Sequence, residues 1–266
     1  MVAHPNVARE NIPVFITARI GSTRLPGKHL LPVCGKPIIE QMISRVKHAQ
    51  RPGLFVICTT VLPEDDVFEE IAKRCNIEIF RGHPTDILQR WLDAADHFKA
   101  RYFISAEADD VFCDPEYIDI LTNELEQNAY DYITCKGLPF GVTPTGIKVE
   151  ALRKICEIKD ENDTQGQERY FTKTGLFNVK NIQVDNPELN YPNLRMTLDY
   201  HEDYEFFKAV FKYLYIREAF FSLKDIISLI KDHPEIARIN EKMQEKYQQR
   251  YDNLYGNVKL KNAPDG

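Results

Sequence analysis

The first half of the chain alternates between short apolar runs and amphipathic stretches. PVFITA (13–18), LFVICTT (54–60), IEIF (77–80), RYFISA (101–106) and YDYIT (130–134) are rich in β-branched and aromatic residues, and each predicts a strand. Between them, 37–49 places Ile38, Met42, Ile43 and Val46 on one helical face, with Pro37 suited to a first turn. The stretch 64–75 gathers its acids at the start, where a helix dipole favours them. Thr85 is the expected N-cap of a helix over 85–98, and Asp114, followed by Pro115, that of a helix over 115–127. Strand and helix repeated in this way predict an α/β protein: a Rossmann-like, mostly parallel sheet with helices on both faces. Right-handed crossovers then bring the strand-to-helix loops to one edge of the sheet, where open α/β folds bind ligands.

The rhythm breaks near residue 136. CKGLPFGVTPTGIKVE is turn-rich, a short helix is predicted over 149–157, and DENDTQGQERYFTKTGLFNV (160–179) is polar and then partly aromatic. The range 136–192 therefore reads as an inserted lobe in a single domain spanning 1–266, after a nucleotide-binding half at 13–135. LRMTLDY (194–200) reads as a strand returning to the sheet, and HEDYEFFKAVFKYLY (201–215) as an amphipathic helix. More helix follows to 255, and 256–266 reads as a loose tail.

Composition narrows the classes. With 266 residues, 43% hydrophobic and 28% charged, the chain is long enough for a full α/β core. A net charge of −6 argues against a nucleic-acid partner. No apolar run approaches the ~20 residues that span a bilayer, and the first residues lack the apolar centre of a signal peptide. Six cysteines, none in a CxxC pair, read as reduced thiols, which points to the cytoplasm and away from structural zinc.

Against this acidic background one loop stands out. Between Glu10 and Glu40 there is no acid, while Arg19, Arg24, Lys28 and Lys36 lie among glycines and prolines directly after the first predicted strand. Backbone N–H groups made accessible by glycine, together with cations, suit a polyphosphate, although a solvated basic loop has the same composition. Five residues separate Gly21 from Gly27 and His29 follows Lys28, so this is not a Walker A loop; GxGxxG is absent as well. Acids close other strands at the same edge: Glu107, Asp109 and Asp110 after the fourth, and Asp199 after 194–198. Asp199 has two readings, a helix N-cap completed by Glu202 or a metal ligand. Mg²⁺ is commonly held by one or two carboxylates plus substrate phosphates. Cations on one loop and carboxylates on two others therefore suit a nucleoside triphosphate with Mg²⁺, attacked at its α-phosphate.

These residues carry a resemblance. ITARIGSTRLPGKHLLPVCGKPIIE resembles the opening signature of the CMP-sugar-acid synthetases, a cytidylyltransferase family that includes the 3-deoxy-manno-octulosonate and acylneuraminate enzymes. The likeness is strongest to the branch named for spore coat polysaccharide biosynthesis protein F. TTVLPEDD, FRGHPTDILQRWLDAA, ADDVFCDPEYID, PTGIKVEAL and LRMTLDYHEDYE follow in the family's order. The resemblance implies a fold of the nucleotide-diphospho-sugar transferase type and Mg²⁺-dependent transfer of CMP from CTP to a sugar acid, with release of pyrophosphate. It implies nucleotide contacts from Ala18, Arg19, Gly21, Ser22, Thr23, Arg24, Lys28, Thr59, Asp86, Arg90 and Glu107. Asp109, Lys28 and Arg19 would be catalytic, and Asp109 with Asp199 would hold the metal. A homodimer formed through the 136–192 lobe is implied too, and that lobe supplies Lys148 and Arg169 as cations for an acidic acceptor. The acceptor half departs from the family pattern at Ala108, Val111, Lys148 and QGQERYFTKTG. A phosphonate or phosphorylated acceptor, or a CTP-binding homologue without turnover, therefore stays open beside the sugar acid.

Overall fold

The structure, a computed structural model, describes residues 12–216, 218–255 and 258–261. The stretch read for a leader lies outside these residues. The elements in chain order are β1 (Val14–Thr17), a small hairpin of β2 (Pro32–Val33) and β3 (Lys36–Pro37), α1 (Ile38–Val46), β4 (Phe55–Thr60), α2 (Val67–Cys75), β5 (Glu78–Gly82), α3 (Ile87–His97) and β6 (Tyr102–Glu107). They continue with α4 (Pro115–Gln127), β7 (Tyr132–Lys136), β8 (Thr145–Lys148), α5 (Val149–Ile158), α6 (Glu168–Thr172), β9 (Val179–Gln183), α7 (His201–Leu214), α8 (Leu223–Asp232), α9 (Pro234–Arg238) and α10 (Met243–Tyr255).

One seven-stranded sheet runs in the order β5-β4-β1-β6-β8-β7-β9. β1 pairs in parallel with both β4 and β6, β4 with β5, and β7 with β9, while β8 runs antiparallel between β6 and β7. The central strands are apolar on both faces because both faces are covered. Val14 and Ile16 of β1 join Ile57 and Ile104 against α1, α2, α4 and α7; Phe15, one residue out of step, packs with Val56 and Phe103 against Trp91 of α3 and Leu152 of α5.

Four sequence expectations change here. The range 136–192 does not stand apart from the sheet: β8 and β9 hydrogen-bond into it, and β9 forms one edge. The stretch 194–200 is not a strand of the sheet. Met196 and Leu198 are fully buried in the alternation of a strand, but its backbone partners are loops: Met196 N–H donates to Phe140 O at 2.7 Å and Leu198 N–H to Asp109 O at 2.9 Å. The N-cap of α3 is Asp86 and not Thr85, because the Asp86 carboxylate accepts the Gln89 N–H at 3.1 Å. Of the tail, 258–261 packs back on the chain, with Lys261 N–H donating to Ile158 O at 2.7 Å; 256–257 and 262–266 lie outside the described residues.

Gly141 sits where 194–200 crosses the loop before β8. Its φ is +91°, and a Cβ there would lie 2.7 Å from the backbone carbon and oxygen of Met196. Gly141→Ala adds left-handed strain to a clash with immobile backbone, so it is expected to destabilise the fold by about 1–3 kcal/mol. A lowered thermal unfolding midpoint is the readout; an unchanged midpoint would show that the two loops can separate freely.

Candidate functional site

The parallel strands aim their carboxyl ends at a cleft of about 880 Å³. The loop after β1 forms its floor. Ile20 N–H donates to Asp65 Oδ1 at 2.7 Å, and the other Asp65 oxygen accepts the Thr60 hydroxyl, so a buried carboxylate from the next βα unit pins the loop. Gly27, at φ +66°, turns the chain into the short 3₁₀ turn that carries Lys28.

Lys28 is the electrostatic centre. Its buried ammonium donates to Asp109 Oδ2, to Leu198 O at 2.8 Å and to Asp199 Oδ1 at 3.1 Å. Arg24 also donates to Asp199 Oδ1. From behind, Arg195 donates to Asp199 Oδ2 at 3.1 Å and to both oxygens of Asp203, at 2.8 and 3.0 Å. Asp203 in turn accepts the N–H groups of Asp199 and Tyr200, both at 2.9 Å. Asp203, at the start of α7, is thus the carboxylate that satisfies this helix end, which leaves Asp199 free of the capping role. Burial pushes the Asp199 carboxyl up, but Lys28, Arg24 and Arg195 overcome that and hold it well below the usual carboxylate range.

Around this centre burial dominates. It pushes His29 down to about 4 even though its Nε2 lies 3.3 Å from Asp109 Oδ1, so the ring is neutral at pH 7. Burial, followed by the charges of Asp110 and Asp109, pushes Glu107 up to about 8; the Ser105 hydroxyl and the Gln167 amide donate to it at 3.0 and 3.1 Å. Asp110 is pushed up to about 7, again chiefly by burial.

The cleft gathers most of the expected site: Ala18, Arg19, Ser22, Thr23, Arg24, Lys28, Arg90, Glu107, Asp109 and Asp199 all line it. Arg90 reaches it from α3, with Nη1 donating to His83 O at 2.9 Å. Five expected residues do not line it. Gly21 is exposed on the outside of the loop, and Thr59 is fully buried within β4. Asp86 caps α3 and forms a buried ion pair with Lys159. Lys148 ends the antiparallel strand β8 and is therefore at the opposite edge of the sheet, where it pairs with Glu150 at 2.8 Å. The guanidinium of Arg169 pairs with Glu161 at 3.1 Å.

Sequence reasoning missed Asp65, Arg195 and Asp203. A sequence signal existed for one of them, because an arginine inside the apolar alternation LRMTL needs a buried partner. It also missed the wall formed by α10, from which Tyr247, Arg250, Tyr251, Leu254 and Tyr255 line the cleft.

Comparison with known proteins agrees with this arrangement. The profile of a cytidylyltransferase family matches residues 14–253. The chain is 29% identical to the spore coat polysaccharide biosynthesis protein SpsF of Bacillus subtilis, over 87% of this chain and 98% of that protein. It is 28% identical to a 3-deoxy-manno-octulosonate cytidylyltransferase of Zea mays, over 70% of this chain and 60% of that one. A cytidylyltransferase structure from Leptospira borgpetersenii superposes with a TM-score of 0.77 at 28% identity, covering 86% of this chain and 97% of the other.

The raised carboxyls set a pH dependence. Between pH 4.5 and 8 the folded chain keeps a proton on Glu107 that the unfolded chain has released, so folding stability falls as pH rises through this window. Asp110 acts with the same sign. Thermal midpoints of the ligand-free protein are expected to fall across this window, and Glu107→Gln to flatten the slope. An equal slope in the variant would remove Glu107 as its source.

Proposed function

Because the chain belongs to the cytidylyltransferase family, whose members are CTP-dependent nucleotidyltransferases, we propose that it transfers CMP from CTP to a sugar acid with release of pyrophosphate. The observation that carries this reading is the Lys28 ammonium set between Asp109 and Asp199, beside Arg19 and Arg24, at the carboxyl edge of the sheet. An arrangement in which cations and carboxylates meet at one point suits a triphosphate and its counter-ion.

The residues fit Mg²⁺. No group of three or more potential ligands gathers among the described residues, but Asp109 and Asp199 present oxygen donors at one point, and Mg²⁺ commonly takes only one or two carboxylates beside phosphate oxygens. Bound there, it would supply charge neutralisation at the phosphates. The chain's own residues do the rest. The N–H-rich loop and Arg19, Arg24 and Lys28 hold the triphosphate with its α-phosphorus facing the acceptor. An acceptor hydroxyl oxygen forms a bond to that phosphorus as the bridging P–O bond breaks; the hydroxyl proton passes to water, and pyrophosphate leaves with the electron pair. The same three cations stabilise the departing charge from fixed positions. No side-chain nucleophile is required.

Two further features belong to this reading. The enzyme acts in the cytoplasm, in keeping with cysteines that are free among the described residues. It works as a homodimer through the 136–192 segment, which supplies the edge strand β9 and the exposed Leu176.

Pyrophosphate release tests the reaction. CTP with sugar acids is expected to support it and UTP or ATP to support far less; equal release from all three would sink the cytidylyl assignment. Asp109→Asn is expected to lower the rate by on the order of 10²–10³ while the fold survives, and near-normal release by this variant would remove Asp109 from the site. Light scattering at micromolar concentration is expected to show twice the 30.9 kDa chain mass, and a species of 30.9 kDa alone would exclude the dimer.

A further inference from the structure

Helix α10 buries none of its residues, yet it turns a continuous stripe toward the cleft. Tyr247, Arg250, Tyr251, Leu254 and Tyr255 follow the i, i+3, i+4, i+7, i+8 spacing of one helical face. Their rings form a wall: Phe140 lies 5.2 Å from Tyr247, Tyr247 6.1 Å from Tyr251, and Tyr251 5.4 Å from Tyr255. The wall is held at two of its rings. The guanidinium of Arg24, bound to Asp199, stands 5.9 Å from the Tyr247 ring, and the Tyr251 hydroxyl donates to Glu168.

We infer that this α10 face is the acceptor subsite, with the tyrosine rings against the sugar and Arg250 receiving its carboxylate. The inference rests on the CMP-transfer reading above. An acidic acceptor needs a cation, and Lys148 and Arg169 do not line the cleft. Among the cations that do, Arg24 and Lys28 are committed to Asp199 and Asp109. Arg90 is buried and bonded to the His83 carbonyl, and Arg19 belongs to the phosphate loop. Arg250 is exposed on the α10 wall, and no hydrogen bond or ion pair holds it among the described residues. The acids near it have partners: Glu161 pairs with Arg169, Glu168 accepts from Tyr251, and Asp163 accepts from Gln165. A carboxylate entering here meets an open guanidinium. The ring faces beside it offer the flat apolar surface that a sugar's C–H face packs on.

The test uses the full chain, CTP and Mg²⁺ with a panel of deoxy keto sugar acids and the matching neutral sugars. Arg250→Gln is expected to raise KM for the acid about 10-fold or more, the loss that goes with one charge-assisted hydrogen bond. Turnover at saturation and calorimetric CTP affinity are expected to stay as in wild type. Arg250→Lys is expected to recover part of the loss, and Tyr255→Ala to raise the same KM. An unchanged acceptor KM overturns the subsite, as does a variant whose CTP or pyrophosphate binding weakens, since Arg250 would then be a phosphate ligand. If wild type binds CTP but turns over only the neutral sugars or none of the panel, the carboxylate role falls and CTP use stands. Failure of wild type to bind CTP overturns the CMP-transfer reading, and the subsite with it.

Discussion

Asp199 takes bonds from three cations: Lys28 and Arg24 on the loop after β1 and Arg195 on the stretch that crosses behind it. Burying these charges is costly, and well-packed apolar residues could replace such a cluster with little loss of stability. What the cluster fixes is geometry. Arg195 is also bound to Asp203 at the start of α7 and to Gln244 Oε1 at 3.0 Å on α10. Asn240 bridges the Arg195 carbonyl and Asp203. One ionic knot therefore sets the phosphate loop, the Asp109 turn, α7 and the C-terminal helices relative to one another.

The same knot explains why 194–200 lies outside the sheet. A strand in the sheet would pair its backbone with another strand, whereas here the Leu198 carbonyl accepts from Lys28 and its N–H donates to Asp109 O. Asp109 and Asp199 are thus tied by backbone as well as by their shared ammonium. The two carboxylates stay close because neither segment can move without breaking bonds in a dry site, where an unpaired charge costs several kcal/mol.

How far the sequence revealed the site depends on whether a position is set locally. β1, β4 and β6 were legible because buried parallel strands are apolar runs between helical patterns, and β5, at the sheet edge, because IEIF is a short β-branched and aromatic run. The basic loop after β1 was legible because composition marks it, whereas the approach of Asp199 to Asp109 was expected for a strand end that 194–200 does not form and came from the family resemblance. Lys148 was misplaced because it depends on strand direction: β8 runs antiparallel, so its last residue lies at the far edge. Asp86 and Arg169 found partners in Lys159 and Glu161, and no local pattern announces such pairings. Asp65 holds the loop through its contact with Ile20, forty-five residues away, which sequence spacing does not show.

A count of charges shows what the cleft has left to offer a ligand. Asp109, Asp199 and Asp203 carry three negative charges against Lys28, Arg24 and Arg195, and these six pair among themselves. The knot is therefore neutral, and it supplies aligned dipoles and donors rather than net attraction. Glu107, with its carboxyl pushed up to about 8, adds little negative charge near neutral pH, and Asp110, pushed up to about 7, is partly protonated there. Outside the knot the cleft is lined by the guanidiniums of Arg19, Arg90 and Arg250 and by the carboxylates of Asp163 and Glu168, which accept from the neutral groups of Gln165 and Tyr251. Site and scaffold thus divide the arginines and lysines between them. Paired ones, Arg24 and Lys28 among them, offer donors at positions fixed before binding, and unpaired ones add net charge. An enzyme whose chain is acidic overall, at −6, can in this way present guanidiniums at one cleft without spreading positive charge over its surface.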